Sequence, residues 1–168
     1  VILWDEDYDV TGKTITVKGA TTSAEAKSAL LSGLEEKAYE VRDSLQLVPD
    51  SVALEGKMYG IVNLSVCNMR VEDDFSSEMT TQALMGMPVK VLQHRNWYRI
   101  QTPDNYIAWV HRVGIHPVTK AGLDAWNKAD KIVVTSHYGF TYQQPDEKSQ
   151  SVSDVVAGNR LKYEGTQG

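Results

Sequence analysis

The chain has 168 residues, 42% hydrophobic and 23% charged, with a formal net charge of −5, a globular composition long enough for one large domain or two to three small ones. An acidic balance without a Lys/Arg cluster argues against nucleic acid as the main partner, and no apolar run approaches membrane-spanning length. One cysteine excludes an internal disulfide.

The chain opens on Val1 with neither Met nor a charged-then-apolar leader, which fits a removed signal sequence as well as a trimmed end. Tyr8 to Val10 and Thr14 to Val17 are strand-like around a Gly12-Lys13 turn and predict a hairpin. Thr22 followed by Glu25 has the spacing of a capping box. Ala26, Leu30, Leu34 and Ala38 recur at i+4 steps and predict one apolar helix face. Gly33 interrupts it, either as a close-contact point or as a surface glycine. Val41, Leu45, Leu47 and Val48 suggest a further strand, stopped by Pro49-Asp50. The order is ββαβ, an α+β mini-domain over residues 1–52.

After a polar connector the pattern changes. Gly60 to Arg70, Pro88 to Gln93, Trp97 to Gln101 and Tyr106 to Val110 suit short strands, with Pro103-Asp104-Asn105 as a turn. So many short strands in residues 57–114 argue a small antiparallel barrel. Alternation sends Tyr98 and Ile100 to one face of their strand, Trp97 and Arg99 to the other. Which of Trp97, Tyr98, Tyr106 and Trp109 are core and which are surface stays open at this level. His116-Pro117 reads as a strand break, and Val118 to Lys128 as a linker helix within 115–130, capped by Thr119 and packing Leu123 and Trp126 onto the barrel.

Residues 131–168 repeat what precedes them. Shifted by 72 positions, Val134 meets Val62, Ser153 meets Thr81, Val156 meets Leu84, Gly158 meets Gly86, Leu161 meets Val89 and Tyr163 meets Val91. The segment reads as an incomplete second barrel, ending one position before the equivalent of Trp97. It is expected to pack on the first barrel as a partial sheet, or to pair with another copy through its open edge.

Three blocks carry a resemblance: V-N-x-S-V-x-N-M-R from Val62, T-Q-A-L-x-G-x-P-V-x-V-L from Thr81, and W-Y-x-I-Q-T-P-D-x-Y-I-x-W-V from Trp97. In this order they resemble a bacterial SH3-type barrel, and more narrowly the first barrel of NlpC/p60-family cysteine peptidases that trim cell-wall peptides. V-S-D-V-V-A-G-N-R-L-K-Y from Val152 resembles the second barrel. Asn105 and Ala108 stand where the family usually has glycine; Asn tolerates a positive φ. The family's nucleophile lies in a D-C-S-G-type segment at a helix start beyond the second barrel, and none is present here. Cys67, inside a predicted strand, reads as a small core residue. The expected chain is therefore not an enzyme on its own, although its relatives are γ-D-glutamyl-L-diamino acid endopeptidases.

The four histidines lack ligand spacing, so neither metal nor cofactor is expected. Glu72-Asp73-Asp74 reads on charge alone as a solvated loop. The resemblance implies more: an acid in this loop and a Tyr in the P-D-x-Y turn would recognise the free amine of a terminal L-Ala, which places Glu72 and Tyr106 in those roles. Asp73, Trp97 and Trp109 complete the expected ligand face. The implied partners are a murein peptide of the L-Ala-γ-D-Glu-diamino acid type or an NlpC/p60 catalytic domain, in the periplasm or cell envelope. A protein-interaction module of the envelope is the alternative.

Overall fold

The computed structural model describes residues 1–166, and they fall into two compact units, Val1–Asp50 and a second that starts at Ser51. In the first unit, β1 (Trp4–Thr11) and β2 (Thr14–Thr21) form a hairpin with Thr11 opposite Thr14. Helix α1 (Ala24–Glu36) crosses over, and β3 (Glu40–Leu47) returns parallel to β2, which makes β2 the central strand. Ile15, Val17 and Leu45 are buried beneath Leu30, Leu31 and Leu34 of the helix.

Two expectations fail locally. The cap is Ser23, whose hydroxyl accepts from the Ala26 amide, while the Thr22 hydroxyl accepts from the Leu3 amide. Moving the start by one residue puts Glu25 out of reach of a capping box. Ala38 lies past the helix end at φ 61° and so leaves the apolar face. Gly33 is a surface glycine, since a Cβ there would meet nothing within 4 Å.

The second unit begins with a seven-stranded sheet in the order β10-β4-β7-β8-β9-β5-β6. Its strands are β4 (Tyr59–Val62), β5 (Val66–Arg70), β6 (Met79–Leu84), β7 (Pro88–His94), β8 (Trp97–Gln101), β9 (Ile107–His111) and β10 (Ile115–Val118). The run from Gly60 to Arg70 is thus two strands, not one. Four strand spacings separate β4 from β5, about 19 Å if flat, yet the four residue steps from Val62 to Val66 reach at most about 14 Å. The sheet must curl, and it does so around one core in which Val62, Cys67, Met69, Val91, Tyr98, Ile100, Val110 and Ile115 are buried together.

His116 and Pro117 continue a strand where a break was expected. Pro117 lies opposite Gly60 on β10, the sheet's edge strand, where a missing N–H costs no ladder bond. Thr119 caps α2 (Lys120–Lys128) by accepting from the Gly122 amide, and the helix packs on β4 and β10.

The remainder repeats the sheet's beginning. β11 (Lys131–Val133) pairs with β14 (Arg160–Lys162), and β12 (Tyr138–Tyr142) with β13 (Ser151–Val156). Every pair in these ladders is a pair of the β4–β7 or β5–β6 ladder moved by 72 positions, including the bulge after Met69, which returns after Thr141. Gln167 and Gly168, the end of the expected second barrel, lie outside the described residues.

Candidate functional site

The loop between β5 and β6 is held by its own polar groups. The Val71 amide donates to the Glu78 carbonyl at 3.0 Å and the Glu72 amide to Ser77 Oγ at 2.9 Å. Asp74 Oδ1 accepts from both the amide and the hydroxyl of Ser76 at 2.7 Å. The Ser76 hydroxyl, then its amide, then the charge of Arg70 hold the Asp74 carboxyl below its ordinary value. Arg70 Nη1 donates to the Ser77 carbonyl at 2.5 Å, tying the loop to the strand.

The turn from Thr102 to Tyr106 closes through paired bonds between Thr102 and Tyr106, with the Thr102 hydroxyl accepting from the Tyr106 amide at 3.1 Å. Asn105 holds φ 68°, the positive φ for which Asn serves as well as Gly. Two clefts border this turn. One, of about 250 Å³, lies between Tyr59, Pro88, Pro103 and Leu123; the other, of about 440 Å³, between Met87, Pro103, Asp104 and Arg160.

Glu72 and Tyr106 are both exposed, Tyr106 at 44%. β5 and β9 meet antiparallel at Arg70 and Trp109. Glu72 follows Arg70 and Tyr106 precedes Trp109, so both lie past the same end of that contact. Among the described residues the Glu72 carboxylate has no hydrogen-bond or ion-pair partner. Asp73 is half-buried.

The two tryptophans are a correction to the expected ligand face. Trp97 is 6% and Trp109 4% exposed, so neither offers an open stacking surface. Alternation does turn them away from the core, but the outer side is covered. Phe75 packs edge-on against Trp97 with ring centres 4.8 Å apart, and the Arg95 and Arg99 guanidiniums lie 5.7 and 5.3 Å from the Trp109 ring. The exposed aromatic of this loop is Phe75, at 66%, which sequence reasoning missed. One signal was present: the position 72 residues on is Glu147, so the repeat does not demand an aromatic there.

Beneath Phe75 is a third cleft, of about 290 Å³, whose walls include Leu64, Arg70, Trp97, His111 and Val113. Cys67 reaches its floor but is only 3% exposed, and burial pushes its thiol up to about 11. That is the opposite of an activated nucleophile. Among the described residues no group of three or more His, Cys, Asp or Glu is placed to hold a metal, and no helix is long and apolar enough to cross a membrane.

Residues 69–115 match the family described as the bacterial dipeptidyl-peptidase SH3 domain. No curated protein matches the chain. Among solved structures, an NlpC/P60 family protein from Bacillus cereus ATCC 10987 is similar over 65% of this chain at 18% identity and a TM-score of 0.50. A novel NlpC/P60 endopeptidase from Photobacterium damselae subsp. piscicida is similar over 86% at 12% identity and a TM-score of 0.53. The chain spans 48% and 33% of the length of those two proteins. At these identities the likeness is one of fold.

Proposed function

For a chain that carries a bacterial SH3-type domain in a fold shared with NlpC/P60 proteins, we propose the role of a non-catalytic region that recognises or positions cell-wall peptides for an NlpC/P60-type peptidase. The observation that carries this reading is the pair Glu72 and Tyr106, both exposed past one end of the β5–β9 contact. A carboxylate pairs with an ammonium, and a phenol hydroxyl adds a directed hydrogen bond. The ligand is a murein peptide of the L-Ala-γ-D-Glu-diamino acid type, its free amine meeting Glu72. An NlpC/P60 catalytic domain would supply the rest of the pocket, in the periplasm or cell envelope.

The repeat supports a special role for Glu72. The equivalent loop keeps the same framework, with the Gln144 amide donating to Ser149 Oγ and the Lys148 amide to Asp146 Oδ1. Gln144 occupies the position of Glu72, so the turn forms without the acid.

The chain alone is not expected to cleave such peptides, because its one cysteine is buried with a raised pKa. Chromatography of an L-Ala-γ-D-Glu-diamino acid tripeptide incubated with the chain should show no product. Turnover abolished by Cys67→Ala would overturn this. Binding is expected in the millimolar range, about 4 kcal/mol, since an exposed ion pair contributes only about 0–1 kcal/mol. Titrating the isotope-labelled chain with the tripeptide should shift Glu72 and Tyr106, and Glu72→Gln should weaken those shifts. Shifts confined to other regions would sink the reading.

A further inference from the structure

We propose that the cleft beneath Phe75 is a docking site for a polypeptide partner that inserts an apolar side chain next to a carboxylate. The site is separate from Glu72 and Tyr106 and does not depend on their role.

Met69, Tyr98 and Val110 lie in the core, so their neighbours Arg70, Trp97 and His111 face outward. An outward face of a small sheet ordinarily carries polar residues. Here it carries Trp97, edged by Leu64, Val113 and Phe75, all three exposed. Exposed apolar residues gathered around a concavity mark an interaction surface, whereas scattered ones do not.

The internal repeat acts as a control. The loop around Phe75 and the loop around Glu147 share four hydrogen bonds at equivalent positions. Ser77 and Ser149 each donate from the amide to the aspartate carbonyl three residues back, at 3.3 and 2.9 Å. Each aspartate side chain accepts from the amide two residues on. The second loop does this with a glutamate where the first has Phe75, so the turn itself does not require the ring. Phe75 nevertheless sits against Trp97 and His111, with ring centres 4.8 and 5.0 Å away, and walls the cleft. An aromatic wall beside a small pocket is the usual anchor of a protein contact.

Charge selects the occupant. Among the residues lining the cleft Arg70 is the one arginine or lysine, and no acid lines it. One guanidinium nitrogen is engaged with the Ser77 carbonyl. The guanidinium has five N–H donors in a planar fork, so others remain for a carboxylate. Asp74 lies within reach of that charge, but its Oδ1 is taken by Ser76. A volume of about 290 Å³ accommodates one large side chain. Leucine followed by aspartate is the simplest segment that meets both demands.

The test is a titration of the isotope-labelled full chain with acetyl-Gly-Leu-Asp-Gly-amide and with its asparagine counterpart. The expected result is saturable shifts at the Trp97 indole N–H, Phe75, Leu64 and Val113, with the aspartate peptide binding several-fold tighter. Phe75→Glu, the residue the repeat carries, should weaken binding by about tenfold while leaving shifts across the core unchanged. Phe75→Ala should act in the same direction. Arg70→Gln should remove the preference for aspartate over asparagine. The proposal is overturned by an absence of shifts at these residues up to about 10 mM peptide, a concentration well above a millimolar constant. Equal binding of the two peptides by the unaltered chain would overturn it too, as would a Phe75→Glu variant that binds unchanged, or loss of the cleft signals on self-association without peptide.

Discussion

At the scale of single residues, Cys67 shows how burial governs chemistry. Its sulfur packs so closely under Gly114 that a Cβ built there would lie 2.4 Å from Sγ, and the thiol is pushed from 9.0 to about 11 by loss of solvent. Two outcomes follow. A thiol-specific reagent at pH 8 should react fully only after denaturant is added; rapid modification of the folded chain would contradict the burial. The stability tied to the raised pKa is intact below pH 9 and is lost as pH rises towards 11, because the unfolded thiol ionises first. The two units between those values correspond to about 3 kcal/mol. Denaturant midpoints at pH 8 and pH 10.5, compared between the chain and Cys67→Ala, should show a smaller alkaline loss in the variant. Equal losses would contradict the assignment.

Among elements, the repeated ribbons are held on the first sheet by a few polar contacts, one of them buried. Asn159 is fully buried; its Nδ2 donates to the Ser65 carbonyl at 2.8 Å and its Oδ1 accepts from the Val156 amide at 2.9 Å. The Ser65 hydroxyl donates to Asp154 Oδ2 at 2.5 Å, and the Arg160 amide to the Met85 carbonyl at 2.9 Å. Removing one partner leaves a buried group unsatisfied at about 1–3 kcal/mol each. Asn159→Ala, which strips two such groups, should therefore cost roughly 2–6 kcal/mol and speed hydrogen exchange over Tyr138–Val156 before it affects Trp97–His111. Uniform exchange across both regions would mean that the ribbons do not open separately. Gly86 stands at φ 82°, and a Cβ there would lie 2.3 Å from the Arg160 carbonyl oxygen. Gly86→Ala should destabilise by at least about 1–3 kcal/mol and loosen the same ribbons; an unchanged melting temperature would refute it.

For the whole molecule, the two units differ in what holds them. The first buries six hydrophobic residues, Leu3, Ile15, Val17, Ala20, Leu45 and Val48, while the cluster of the second draws on strands from β4 to β10. A core as small as the first rarely supplies more than about 3–5 kcal/mol. A fragment of residues 51–168 should keep the chemical shifts of Tyr98, Val110 and Asn159 when residues 1–50 are removed. Collapse of that spectrum would show that the second unit needs the first.

Local periodicity and the internal repeat were legible in the amino-acid order alone. Trp97–Gln101 is the strand its alternation predicts, Thr119 caps the helix it precedes, and the 72-residue offset returns as an identical register of pairs. Each of these depends on neighbours along the chain, or on likeness between two stretches of it, and needs no knowledge of what lies across space. Glu72 and Tyr106 are exposed, which alternation alone did not decide. Tertiary structure decided which outward-facing residues are covered. Trp97 and Trp109 point away from the core as alternation requires, yet a loop and two arginines bury them. The bend that divides Gly60–Arg70 arises because a short link must join strands four places apart in a curled sheet. Pro117 lies in a strand because that strand is an edge. Alternation specifies the side of a strand on which a residue falls; only the folded chain specifies what meets it there.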